Sequence, residues 1–475
     1  MNRTQVQTIA THEIRQGFQN KSFLALTLLV LLLFTVATVV STNAHRRSQQ
    51  EIRVLQDTVA RQWQEQPSRH PHRVAHYGYL AFRPRSPLGF FDFGVSDFTG
   101  NSIFLEAHVQ NSANFSEARQ DSSLLRFGTL TPAFVFQTLI PLLVIFLVGT
   151  TITKERESGT LPQTLSLGVG WKELLLGKTL GNLMLLAMLT GPVLSFVTLP
   201  AAYASGSLGE QNLIRLILLA GFYLLYLFLW VSLSVIISTL SSSSGRSTVV
   251  LLTVWIATTS FLPKALPSLG AYLHPAPSRP EFEHRLHLEA VGAGHGHDPK
   301  DAHFEKKKND TLKLYGVDSV DELPVNWRGM AMQEGERAST DVYRRHFEEL
   351  QETYKLQLAT SRIGAVFSPY LAIKNLSATL CGTDLESAVR FEREAEKYRY
   401  DLIQKLNDLH IHEIDYEGDK EQRVSSAHWK DFDSFHFTPP SLASDLSRTR
   451  SLMVLLLAQA GLLLTVLLNM KGQAR

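Results

Sequence analysis

The sequence predicts a mainly α protein: a polytopic membrane helical bundle of about six spans with two extracytoplasmic domains, the second largely a helical hairpin. Three observations carry that expectation. Six blocks of the 475 residues are almost purely apolar for about twenty residues each. Lysine and arginine gather in alternate short connections between them. Two long charged segments at helical spacing lie between the fifth and sixth blocks.

The blocks run over residues 23–41, 132–152, 179–200, 213–240, 247–266 and 449–470. A helix rises about 1.5 Å per residue, so ~20 apolar residues cross a ~30 Å hydrocarbon layer. A helix buried in a soluble core seldom stays apolar on every face for that length. The first block exceeds the ~7–15 residues of a cleavable leader's apolar region, so it reads as a signal anchor. Overall composition says less, because 44% hydrophobic content averages apolar blocks with charged ones. A net charge of +2 gives no reason to expect a nucleic-acid partner. A single cysteine, Cys381, excludes an intrachain disulfide and a cysteine-based zinc cluster.

Orientation follows from the positive charges of short loops. The 153–178 connection carries Lys154, Arg156, Lys172 and Lys178; Arg246 separates the fourth and fifth spans, and Lys471 and Arg475 follow the sixth. The 201–212 loop has no lysine or arginine. Both termini are therefore expected in the cytoplasm, with 471–475 as a short tail and residues 42–131 and 267–448 outside. Ahead of the first span, Val6, Ile9, Ala10, Ile14, Gly17 and Phe18 share one side of a helix, with Glu13 and the arginines largely elsewhere. Residues 1–22 thus read as a cytoplasmic amphipathic helix lying in the membrane interface.

The most informative connection begins Thr151-Ile-Thr-Lys-Glu-Arg-Glu-Ser-Gly-Thr-Leu161 and ends Trp171-Lys-Glu-Leu-Leu-Leu-Gly-Lys178. It is charged and interrupted by Gly159 and Pro162, a form able to present a short helix to a partner. Glu155, Arg156, Glu157, Gly159, Thr160 and Leu161, followed by Gly177 and Lys178, resemble the loop between the second and third spans of ABC-2 transporter permeases. The resemblance implies a transmembrane subunit of an ABC exporter in a bacterial inner membrane. It implies a second permease chain, identical or paralogous, and a cytoplasmic ATPase gripped at residues 153–178. Glu155, Arg156 and Glu157 would set charge complementarity to that ATPase, while Gly159 turns the chain to present Thr160 and Leu161. Gly177-Lys178-Thr179 imitates the end of a P-loop, but the required first glycine is Lys172. ATP therefore belongs to the partner and no cofactor to this chain; the reading is of a transport subunit, not an enzyme.

The first outer segment opens with a polar helical run, Ser48–Gln66, and then turns aromatic and glycine-rich, from Tyr77 to Phe104. In the second, Phe347, Leu350, Tyr354 and Leu358 form one helical stripe and Phe391, Ala395, Tyr398 and Leu402 another. The apolar 363–380 stretch between them is expected to rest on the membrane surface or on a partner. Phe367-Ser-Pro-Tyr-Leu371, Cys381-Gly-Thr-Asp384, Phe391 and Tyr398-Arg399 resemble a subgroup whose insert is a domain of unknown function. Eleven of the 17 histidines fall in this segment. His295, His297, Asp298 and His303 form its densest set of ligand types, able to suit zinc or copper. His410 with His412, and His428 with His436, are sparser.

Two functions from different classes compete. One is transport, with Pro141 and Gly191-Pro192 as kink points and no ionisable group deep in a span to suggest ion coupling. The other is a membrane-anchored binding or assembly module, for metal delivery or envelope-protein maturation. An outward-facing metallohydrolase has only histidines to support it, since no G-x-S-x-G or H-E-x-x-H motif occurs.

Overall fold

A computed structural model describes residues 2–114, 130–206, 209–293 and 302–471. In chain order its helices are α1 (Arg3–Gln19), α2 (Lys21–Gln64), α3 (Pro71–Tyr77), α4 (Pro132–Glu157), α5 (Thr160–Ser166), α6 (Trp171–Ala204) and α7 (Glu210–Leu240). They continue as α8 (Ser244–Leu273), α9 (Arg279–Gly292), α10 (Ala302–Tyr315), α11 (Trp327–Gly364), α12 (Pro369–Leu380), α13 (Leu385–Glu413) and α14 (Leu442–Asn469). Strands β1 (Tyr79–Phe82) and β2 (Ser102–Leu105) pair antiparallel, with Tyr79 opposite Leu105. Six of the helices, α2, α4, α6, α7, α8 and α14, are long and apolar enough to cross a membrane. The chain is a mainly α, multi-pass membrane protein.

The bundle core is aromatic and aliphatic, with Phe34, Phe136, Val144, Tyr226, Trp230 and Leu251 in one cluster. Two spans carry π-turns, Val135–Leu139 in α4 and Ala257–Phe261 in α8. The first immediately precedes Pro141, whose missing N–H leaves a gap in the helical ladder. α6 continues through Pro192 without a break in its helical assignment.

At 44 residues, α2 is about 66 Å long, twice the hydrocarbon thickness. The polar run from Ser48 is helical as expected, to Gln64, and continues the helix of the first span without a break. It stands out of the bundle as a post and carries Trp63 into the head. There Trp63 packs edge-on to Tyr79 and Phe432, each at 5.8 Å. Val74, Ala81, Ile103 and Leu105, between the first two spans, share that core with Phe391, Leu402, Ile403 and Trp429, between the last two. The two segments that hydropathy separates thus bury one another.

The hairpin α11–α13 is held differently from its sequence pattern. The Phe391 stripe of α13 is buried in the head core, but Tyr354 on α11 is exposed and Phe347 packs with Leu286 and Val342 in a side cluster. Polar contacts join the two helices instead: Arg399 with Glu336 and Thr340, and Arg393 with Gln351. Between them, α12 is packed within the chain, while Ile363, Val366 and Phe367 just ahead of it are exposed. Ile373, Leu380 and Cys381 sit in the bundle core, while Leu371 and Leu376 pack on Leu452 and Leu456 of α14. The Tyr223 hydroxyl donates to Ser377 Oγ at 3.0 Å, tying α12 to α7. The head is thereby seated directly on the bundle.

Candidate functional site

At the end of the bundle opposite the head, α4 leaves the core through a loosened turn at 149–152. Ser238 Oγ of α7 accepts the N–H groups of Ile152 and Thr153 at 3.0 and 3.3 Å, satisfying backbone that has lost its helical partners. The three charged residues that follow each address a different helix. Glu155 reaches Lys178 of α6 at 2.6 Å. Arg156 donates to the carbonyls of Thr239 and Ser241, the exposed end of α7. Glu157 accepts from the N–H and hydroxyl of Ser244, at 2.6 and 2.7 Å, where the positive end of α8 begins. All three charges are thus committed within the chain.

Gly159 then takes a left-handed conformation, φ 74°, which reverses the chain into α5. Leu161 turns back and is completely buried. Ser158, Thr160, Pro162 and Gln163 are exposed, and Leu167, just past α5, is 82% exposed. The connection thus has an exposed apex, from Ser158 to Leu167, with Leu161 as its buried anchor.

α1 is part of the same site. Its apolar face is covered by α6, so Val6, Ala10 and Gly17 are buried in protein. A Cβ on Gly177 would lie 2.6 Å from Ile9 Cβ, and one on Gly181 2.7 Å from the Ala10 carbonyl oxygen. This G-x-x-x-G spacing lets the two backbones approach as side chains would not permit. Glu13 lies on that buried face. Its carboxylate accepts from Lys178 Nζ at 2.6 Å, Asn182 Nδ2 at 3.0 Å and Thr151 Oγ1 at 3.2 Å. One lysine therefore joins α1, the α4 end and α6. Sequence reasoning set Glu13 apart from the apolar stripe. Its i+3 and i−4 spacing from Ala10 and Gly17 was the available signal.

The predicted ligand set falls elsewhere: His295, His297 and Asp298 lie outside the described residues, as does the side chain of His303. Among the described residues, two other groups place three ligand atoms within 4.8 Å of one another. They are His70, His410 and Asp419, fully buried, and His72, His76 and His108, partly open. Four of these six residues come from the segment between the first two spans, where no metal set was expected. His72 and His76 are a visible i, i+4 pair behind a proline; nothing local marks His108.

Between head and bundle lies a cleft of about 470 Å³. Arg215 forms one wall and pairs with Asp445 at 2.6 Å, joining α7 to α14.

Comparison with known families gives two matches. A model described as "ABC-2 family transporter protein" matches residues 7–315, well over half the chain. One described as "Domain of unknown function (DUF3526)" matches residues 281–438. No curated protein matches the chain.

Proposed function

We propose, because the chain belongs to the ABC-2 family of transporter proteins, that it is the permease subunit of an ABC exporter in a bacterial inner membrane. Its termini and α5 face the cytoplasm, and the head stands outside. A separate ATPase docks on α5, and a second permease chain completes the membrane assembly. The observation that carries this reading is the division of the 151–178 connection into an exposed apex and a braced root.

The apex offers Gln163 and Leu167; the root ties Glu155, Arg156 and Glu157 to α6, α7 and α8. Motion of the ATPase would push α5 and, through that root, shift four helices together. The charged residues act as internal struts here rather than as the docking surface, and Gly159 is the pivot between the two. The substrate would be handled at the head, whose seat on α12 and α14 lets it follow the spans.

The test is Leu167→Asp in the full complex. A buried interface residue replaced by a charge should remove the co-purifying ATPase or its ATP-driven activity by at least ten-fold, with membrane insertion unchanged. Retention of both the ATPase and its activity overturns α5 as the contact.

A further inference from the structure

A second site lies in the head, far from α5, and neither family description mentions one. It is built on α3. His70 caps that helix, its Nδ1 accepting the His72 N–H at 3.2 Å, and Pro71 fills the first position, where no N–H is needed. The cap places His72 and His76 at i, i+4, so both rings leave the same face. Their Nε2 atoms are 3.2 Å apart. Two nitrogens held about 2.0–2.1 Å from one tetrahedral ion would be separated by roughly 3.3–3.4 Å.

The third ring comes from a turn that the fold holds in an unusual conformation. His108 is the one non-glycine among the described residues with positive φ, 67°. The turn closes through the bridge between Glu106 and Val109. The His108 N–H donates to Glu336 Oε2 at 2.8 Å, and its Nδ1 lies 3.2 Å from the same oxygen. Glu336 is wholly buried and paired to Arg399, which also donates to the Glu106 carbonyl. With Nδ1 this close to the carboxylate, Nε2 is the nitrogen that would ligate. A carboxylate on the far nitrogen is the arrangement that orients metal-binding imidazoles and raises their basicity. The ring centroid of His108 lies 5.8 Å from that of His72 and 5.4 Å from that of His76.

The neighbouring group fails the same examination. Asp419 already accepts from His410 Nε2 at 2.8 Å and Asn326 Nδ2 at 2.7 Å. His70 spends its Nδ1 lone pair on the cap, so its Nε2 carries the proton toward Asp419 and has no lone pair to offer. That cluster is a hydrogen-bonded brace for α3.

We propose that His72, His76 and His108 bind one zinc-class divalent transition-metal ion through three imidazole nitrogens, with Glu336 as the positioning residue behind His108. His76 is exposed, so the fourth coordination position opens to solvent and can take water or an incoming ligand.

The experiment uses the full-length protein in detergent, stripped with a chelator and titrated with Zn(II), then with Co(II) as a spectroscopic reporter. One equivalent of Zn(II) per chain should bind. His76→Ala and His72→Ala should each weaken binding at least ten-fold and abolish the intense visible band of tetrahedral Co(II). His76 is exposed and its loss should leave the unfolding temperature of the metal-free protein unchanged, so misfolding cannot mimic the result. The double variant His295→Ala/His297→Ala should keep full metal content. No Zn(II) bound to the parent protein overturns the site, as does undiminished content in the His72→Ala/His76→Ala double variant.

Discussion

Lys178 on the third span and Glu13 on the first helix are joined by a 2.6 Å ion pair, although 165 residues separate them. Lys178 is almost fully buried, its side chain 2% exposed, and Glu155 approaches it at the same distance. A buried cation between two carboxylates is stable only as a set. Removing Lys178 leaves two carboxylates facing each other with no cation between them.

Lys178→Met should therefore destabilise the protein by about 3–5 kcal/mol, the usual cost of breaking a buried pair from one side. The triple variant Lys178→Met/Glu13→Gln/Glu155→Gln should recover most of that, because no charge is then stranded. Thermal unfolding in detergent compares the two. A single variant as stable as the parent would mean that the pair is solvated.

The close approach of α1 to α6 has its own test. A Cβ at Gly181 would stand 2.7 Å from the Ala10 carbonyl oxygen and 2.8 Å from Ala10 Cα, backbone atoms that cannot swing aside. Gly181→Leu should cost about 1–3 kcal/mol or more as overpacking, and should expose α1 to protease. Gly191→Ala on the same helix meets nothing within 4 Å and should be neutral. Equal protease resistance in both variants would count against the packing described.

Sidedness can be read by thiol labelling in intact cells. Asp318 in the head and Ser158 beside α5 are both exposed, and the native Cys381 is buried, so background is low. A membrane-impermeant reagent should label Asp318→Cys and leave Ser158→Cys unmodified until the cells are opened. The reverse pattern would invert the proposed orientation.

The six spans were legible because crossing a membrane is a local property. Each segment must satisfy its own backbone hydrogen bonds in hydrocarbon, so twenty apolar residues announce a helix wherever its neighbours lie. The resemblance at Glu155–Leu161 was local too, and the family match extends it to residues 7–315. The turn at Gly159 was equally visible, since φ 74° is a demand that glycine meets best.

What each charged or polar residue touches was decided elsewhere in the chain. The motif located Glu155, Arg156 and Glu157 in a loop, but only the ends of α7 and α8 and the side chain of Lys178 decided what each one touches. The apolar 363–380 stretch carried no mark distinguishing its exposed start, Ile363, Val366 and Phe367, from the part, α12, that packs against α7 and α14. His72 and His76 were paired by helical spacing, whereas His108 joins them through Glu336, 228 residues farther along. Hydropathy sums over neighbours in sequence; ion pairs, seats and ligand sets depend on which surfaces meet, and those meetings exist only once the bundle and head have closed on one another.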